Sequence, residues 1–164
     1  MRKFSMVIFS LILAFAFSTA AFAEPLKVTV PGELTLAQAQ KVLTAAVAKA
    51  EAIKVPVNIA VVDSGGNLKA FYRMDDAFLG SIDVSIKKAV TARYFNMSTR
   101  ALGEASQVGK SLYSIEVTNG GLVLFPGGVL LVDKNNVVVG AVGVSGGTVD
   151  EDENVANAAA AVLK

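Results

Sequence analysis

A serine between glycines offers the most familiar catalytic pattern in the chain. Gly143-Val144-Ser145-Gly146-Gly147 matches the G-x-S-x-G pattern of hydrolases, where a strand ends and a helix follows. The serine of such a site needs a general base, and the 164-residue chain contains no histidine. A lysine is the alternative base, but nothing in the sequence places one near Ser145. The pattern is therefore rejected as a serine hydrolase.

Charged residues around a predicted strand end form a second candidate. Arg73 is followed by Asp75 and Asp76, and Lys88 lies in the next predicted helix. Arginine binds carboxylates and phosphates through paired hydrogen bonds, but a surface ion pair explains these charges equally well. For Lys88 the favoured interpretation is a solvated side chain. A half-buried stem whose amine reaches a partner is the alternative.

Metal and nucleotide sites receive little support from the composition. With no histidine and no cysteine, the chain lacks the commonest transition-metal ligands and any thiol nucleophile. Asp150-Glu151-Asp152-Glu153 lacks the alternating spacing of a calcium loop, so we interpret it as a first helical turn that complements the helix dipole. No lysine follows a glycine loop as it does in a P-loop.

Periodicity predicts the elements that position these residues. Thr35 and Gln38 form a capping box at the start of a helix that reaches Ile53, and its apolar face indicates core packing with no site. Strands at 55–63 and 68–74 flank the turn Ser64 to Asn67. Three more helices are expected, at about 80–95, from Ser98 or Thr99 to about Ser106, and from Asp150 to Leu163. The segment 107–119 is ambiguous.

The stretch 120–147 holds eight of the fourteen glycines. Its two β-branched runs, 129–132 and 137–139, predict a hairpin around Asp133 to Asn136. Glycine weakens a strand, so it needs a reason there. A bulge, a tight bend or close helix packing is one explanation, and the approach of a ligand or partner to Pro126-Gly127-Gly128 is the other. The sequence allows both.

The first 23 residues resemble a secretory signal peptide. Arg2 and Lys3 precede an apolar run, and Ala21-Phe22-Ala23 is a small-x-small cleavage pattern. The run is shorter than the ~20 residues that span a bilayer, so removal before Glu24 is expected, with a periplasmic or secreted protein as the product. The remaining residues 24–164 are expected to form one domain that begins with a short strand or arm at 24–31.

The charge balance argues against two classes of partner. Without Arg2 and Lys3 the chain keeps 13 basic and 14 acidic residues, which gives no reason to expect binding to nucleic acid or to an anionic membrane. No second apolar segment is long enough to span a membrane. With no disulfide available, packing must hold the fold together, and oligomerisation would add to it.

Five motifs in order carry a family resemblance. They are 61–66, 73–77, 88–92, 125–128 and 140–146, that is, VVDSGG, RMDDA, KAVTA, FPGG and GAVGVSG. Together they resemble the GlcG/HbpS family, which includes the C-terminal domain of PduO-type proteins. The resemblance covers nearly the whole of 24–164. It implies an α+β fold, a profilin-like three-layer α/β/α sandwich around an antiparallel sheet of about five strands.

The resemblance also implies a ligand and partners. Members bind haem, assemble as homo-oligomers, and in some exported cases are linked to haem degradation and to a sensor kinase partner. The positions carried over by motif as cofactor-binding, at a pocket or interface, are Arg73, Asp75, Lys88, Thr91, Gly127 and Gly128. Where family members use histidine for haem iron, this chain cannot. The substitutes are Tyr72, Met74, Tyr94, Met97, Tyr113 and the hydroxyl of Thr91.

Two interpretations follow. The first is an exported haem- or tetrapyrrole-binding protein, oligomeric and accessory to haem handling or sensing, with Arg73 or Lys88 on a propionate. The second is a small-molecule-binding or sensory module without catalysis, which Arg73 and Lys88 converging on one cavity would favour. Haem degradation rests on the resemblance alone. Without histidine, proximal ligation and acid–base chemistry both lose their usual residue, so no catalytic residue is assigned.

Overall fold

The computed structural model describes residues 32–164, so the signal peptide and the strand predicted at 24–31 lie outside the described residues. The described chain contains four α-helices and four strands in the order α1 (Leu36–Ile53), β1 (Asn58–Asp63), β2 (Leu68–Arg73), α2 (Gly80–Phe95), α3 (Thr99–Ala105), β3 (Gly128–Val132), β4 (Val138–Ser145) and α4 (Val149–Ala160). Short 3₁₀ turns lie at Ile115–Val117 and Ala161–Leu163. No helix in this part of the chain is long and apolar enough to cross a bilayer.

The four strands form one antiparallel sheet in the order β2-β1-β4-β3. About five strands were expected, and the described residues supply four. Helices α1 and α4 cover one face, where the larger apolar core includes Leu43, Ile59 and Val142. Helix α2 covers the other face above Ala60 and Ala141. The predicted three-layer α/β/α sandwich is confirmed.

Local sequence signals explain most element ends. The capping box of Thr35 and Gln38 is present at the start of α1, and Thr148 forms a second one with Glu151 at the start of α4. The turn between β1 and β2 is held by Asp63, whose Oδ1 accepts hydrogen bonds from the N–H groups of Gly65 and Asn67. Helix α2 has the predicted bounds, whereas β1 begins at Asn58, three residues later than expected.

Helix α2 lies close to the sheet because β4 has no side chain where the two meet. A Cβ placed on Gly143 would collide with the carbonyl oxygen of Ser85 and the amide nitrogen of Ala89. The residues of α2 that face the sheet are small as well, with Ser85, Ala89 and Ala92 all buried. Close helix packing is therefore the explanation for this glycine. The contact sets the distance between α2 and the sheet, and with it the positions of Lys88 and Thr91.

Candidate functional site

Lys88 is fully buried, so its interpretation as a solvated lysine is wrong. Its Nζ donates hydrogen bonds to the carbonyl oxygen of Val144 at 2.8 Å and to Oδ2 of Asp152 at 2.7 Å. The same atom lies 4.9 Å from the centroid of the Phe125 ring, a distance at which a cation is attracted to the ring face. An ammonium group in a dry interior needs such partners, because burial penalises its charge.

Asp152 is the other half of this pair and is only 2% exposed. Its Oδ1 accepts a hydrogen bond from the N–H of Gly147 at 2.9 Å, so both carboxylate oxygens have partners. Burial raises the pKa of the Asp152 carboxyl and lowers the pKa of Lys88, and each charge opposes the shift of the other. The acids at the start of α4 thus have different roles, since Glu151 caps the helix and Asp152 ties it to α2.

The glycines at 127 and 128 make room for this pair. Gly127 has a φ of +122°, and a Cβ there would lie 2.7 Å from both Nζ of Lys88 and the carbonyl oxygen of Val144. A Cβ on Gly128 would strike the carbonyl oxygen of Lys88, and its N–H donates to Oγ1 of Thr99 at 3.0 Å. Of the two explanations for these glycines, the structure supports close packing.

Thr91 completes the group from the next turn of α2. It is 1% exposed, and its hydroxyl oxygen accepts a hydrogen bond from the N–H of Val123 at 3.1 Å. We call this set the interior clamp: Lys88, Thr91, Thr99, Gly127, Gly128 and Asp152. It joins α2 to α3, α4 and the chain entering β3. Four of the six predicted site residues belong to it.

The other two predicted site residues, Arg73 and Asp75, are exposed at the end of β2. They line a hollow of about 370 Å³ between α1 and β2, here called the β2 hollow: Val47, Glu51, Tyr72, Arg73, Met74 and Asp75. A polar concavity of about 390 Å³ continues from it along Arg73 to Asp76. Lys88 lines neither, so Arg73 and Lys88 do not converge on one cavity. A ligand role for the six residues stays a prediction.

A larger concavity lies on the outer face of α1, which sequence reasoning treated as core packing without a site. This α1 groove has a volume of about 620 Å³, a predominantly apolar wall, and seven lining residues: Ala37, Gln40, Lys41, Thr44, Ala45, Ala48 and Val162. The signal in the sequence was the row of alanines on the side of α1 that faces away from the core. The outer face of an amphipathic surface helix normally carries charged and polar side chains.

The α1 groove and the β2 hollow meet at one hydrogen bond. Nε2 of Gln40, which lines the groove, donates to the hydroxyl oxygen of Tyr72, which lines the hollow, at 2.7 Å. Tyr72 is 42% exposed, so its oxygen lies at the surface. The two concavities are therefore neighbours, and the Tyr72 phenol lies where they meet.

The other candidate iron ligands are less available to this surface than Tyr72. The Thr91 hydroxyl is committed to the backbone of Val123, and the Tyr94 ring packs over Gly66 in the β1–β2 turn. Met74 lines the β2 hollow but packs partly against the core. Among residues 32–164, no three acidic side chains are grouped to hold a metal ion.

Comparison with known proteins identifies a family and several relatives of this chain. The family described as haem degrading protein HbpS-like matches residues 34–161. An uncharacterised 15.0 kDa protein of Citrobacter freundii is 48% identical over 126 residues, which are 77% of this chain and 89% of that protein. The crystal structure of Klebsiella pneumoniae protein ORFY is 40% identical with a TM-score of 0.78, over 86% and 97% of the two chains. That of PduOC in complex with haem is 33% identical with a TM-score of 0.75, over 80% and 96%.

Proposed function

We propose that the protein binds haem, and that haem lies on the surface formed by the α1 groove and the β2 hollow. The chain belongs to the family described as haem degrading protein HbpS-like. The observation that carries the proposal is the haem complex of PduOC, a relative whose fold matches over 80% of this chain. Haem supplies an iron centre for binding gases or transferring electrons. The residues of this chain hold and orient it.

The α1 groove suits a porphyrin in size and polarity. Its volume of about 620 Å³ falls within the ~300–1,000 Å³ typical of small-molecule sites. Alanine and valine side chains offer an apolar floor to the ring, and Lys41 at the rim offers a cation to a propionate. Arg73 offers a second cation from the β2 hollow. In the interior clamp, by contrast, the amine of Lys88 already has its partners.

Binding rather than catalysis is the role that the residues support. Haem degradation needs a proximal ligand and proton transfer, and both commonly use histidine, which the chain lacks. The signal-like residues 1–23 support a periplasmic or secreted location. Self-assembly into a homo-oligomer is carried over from the family resemblance. Export, assembly and a sensor partner are parts of this proposal.

A second candidate function rests on the polar concavity beside Arg73. Its walls at Arg73, Asp75 and Asp76 are mainly polar, which suits a small charged molecule better than a porphyrin. In that case the domain is a small-molecule-binding module without catalysis.

A haem titration of residues 24–164, followed by absorption spectroscopy, tests the proposal. We expect saturable binding with a Soret shift and a defined stoichiometry. Ala48→Glu puts a carboxylate on the floor of the α1 groove and is expected to weaken binding at least about tenfold. Ala101→Glu, at an exposed alanine of α3 outside the groove, is the matched control. Unsaturable binding overturns the haem proposal, and equal binding by both variants overturns the groove as its site.

A further inference from the structure

The lack of histidine and cysteine restricts how this chain can ligate haem iron. Tyrosine and methionine are the remaining side chains that commonly serve as axial ligands. The described part of the chain contains three tyrosines and two methionines, at positions 72, 94, 113, 74 and 97. A ligand must also lie beside the surface that receives the porphyrin, so location decides among them.

Tyr72 is the one of these five whose ligand atom contacts a residue of the α1 groove. Its hydroxyl oxygen accepts the Gln40 hydrogen bond at 2.7 Å and stands at the junction of the groove and the β2 hollow. Tyr94 packs over Gly66, on the other side of the sheet from α1. Tyr113 and Met97 line neither concavity, and Met74 packs partly against the core.

The Tyr72 oxygen already accepts a hydrogen bond from a side-chain amide. The amide of Gln40 donates to the oxygen, which compensates charge that develops there when the phenol proton leaves. The guanidinium of the neighbouring residue Arg73 borders the same hollow. Because the ring is partly exposed, the released proton can pass directly to solvent.

We propose that Tyr72 binds the haem iron through its phenolate oxygen and that the protein therefore holds ferric haem more tightly than ferrous haem. The inference rests on the proposed function, since it names the ligand within the same surface. Binding replaces the phenol O–H bond by an oxygen–iron bond, the proton goes to solvent, and no electron is transferred. An anionic oxygen is a hard ligand and prefers the more highly charged ion, so reduction of the iron weakens the bond.

The test compares Tyr72→Phe with Tyr94→Phe, which removes a phenol oxygen on the opposite side of the sheet. Each protein, as residues 24–164, is titrated with ferric haem, with dithionite-reduced haem and with metal-free protoporphyrin IX. Electron paramagnetic resonance and resonance Raman spectra are recorded on the ferric complexes. We expect a ferric phenolate signature in the parent protein and in Tyr94→Phe but not in Tyr72→Phe. Ferric affinity should fall at least about tenfold in Tyr72→Phe, while protoporphyrin affinity stays within about twofold.

The three probes distinguish a failure of the proposed function from a failure of the ligand assignment. If the parent protein binds neither haem nor protoporphyrin, the proposed function fails. If it binds both and Tyr72→Phe keeps the same ferric spectrum and affinity, the function stands and the ligand assignment is overturned. Equal loss of ferric haem and protoporphyrin in Tyr72→Phe would make the residue part of the floor and would also overturn the assignment. Gln40→Leu supplies an independent check, since losing the donor should weaken ferric binding more than it changes protoporphyrin binding.

Discussion

Replacing Lys88 by methionine tests whether the interior clamp stabilises the fold. The substitution keeps an unbranched side chain one atom shorter and removes the ammonium that donates to Asp152 and Val144. It leaves a carboxylate that is 2% exposed with only backbone N–H groups, those of Gly146 and Gly147, as partners. Breaking a buried ion pair by removing one partner typically costs about 3–5 kcal/mol. For a domain of this size we expect the melting temperature to fall by roughly 12–20 °C.

The pH dependence of the loss identifies its cause. Burial already raises the pKa of Asp152, and removing Lys88 takes away the main interaction that opposes this. An acid with a raised folded-state pKa costs stability above its unfolded-state pKa, and the cost vanishes below that value, about 3.9. The deficit of Lys88→Met should therefore be largest near neutral pH and shrink towards pH 4.

Urea unfolding at pH 7 and pH 4.5, followed by circular dichroism, measures both effects. The double variant Lys88→Met/Asp152→Asn removes the stranded charge and keeps an amide oxygen for the N–H of Gly147. The double variant should be more stable at pH 7 than Lys88→Met alone. Two independent destabilising substitutions would instead add their effects and make the double variant the less stable one. A loss below about 1 kcal/mol in Lys88→Met, or a double variant that is less stable than the single one, would refute this reasoning.

Two further predictions concern the close approach of α2 and the second hairpin. Gly143→Ala should lower the free energy of unfolding by about 1–3 kcal/mol, because its Cβ collides with backbone atoms of Ser85 and Ala89. Gly80→Ala is the control, since open space surrounds Gly80 and its melting temperature should change little. Equal melting temperatures of the two variants would contradict close packing at Gly143. Backbone hydrogen bonds, from Val137 above all, lower the pKa of Asp133, so its contribution is present above its unfolded-state pKa and is lost as the pH falls through the folded-state value. Urea midpoints of Asp133→Asn and the parent should thus differ at pH 7 and converge only at acid pH, below the folded-state pKa of Asp133. A difference in midpoint that does not change with pH would contradict this role of Asp133 in the turn.

The elements were predictable because their signals are local. The capping box of Thr35 and Gln38 and the two Asx-containing turns act within four residues, so the sequence specifies them without knowledge of the fold. The three-layer order follows from two hairpins alternating with helices, together with the family resemblance. The strand predicted at 24–31 stays a prediction, because it lies outside the described residues.

The burial of Lys88 was not predictable in the same way. Its partner Asp152 lies 64 residues later, inside an acidic run that has a sufficient local explanation as helix capping. Lysine is rarely buried, so the solvated interpretation was the better expectation from one sequence. The α1 groove was missed for a related reason. Alanine suits both faces of a helix, and only the tertiary arrangement shows that Ala37 and Ala48 line an open surface with Val162.

The motifs that carry the family resemblance and the proposed haem-binding surface lie in different parts of the molecule. The KAVTA and FPGG motifs supply four of the six residues of the interior clamp, Lys88 and Thr91 from the first and Gly127 and Gly128 from the second. The second motif also supplies Phe125, whose ring lies near the Lys88 amine. These motifs contribute to how α2, α4 and β3 are joined. The α1 groove contains no residue of the five motifs. Relatives with the same clamp can therefore differ in what their outer surface binds, and Tyr72, one position before the RMDDA motif, is where this chain's iron chemistry can diverge while its fold is kept.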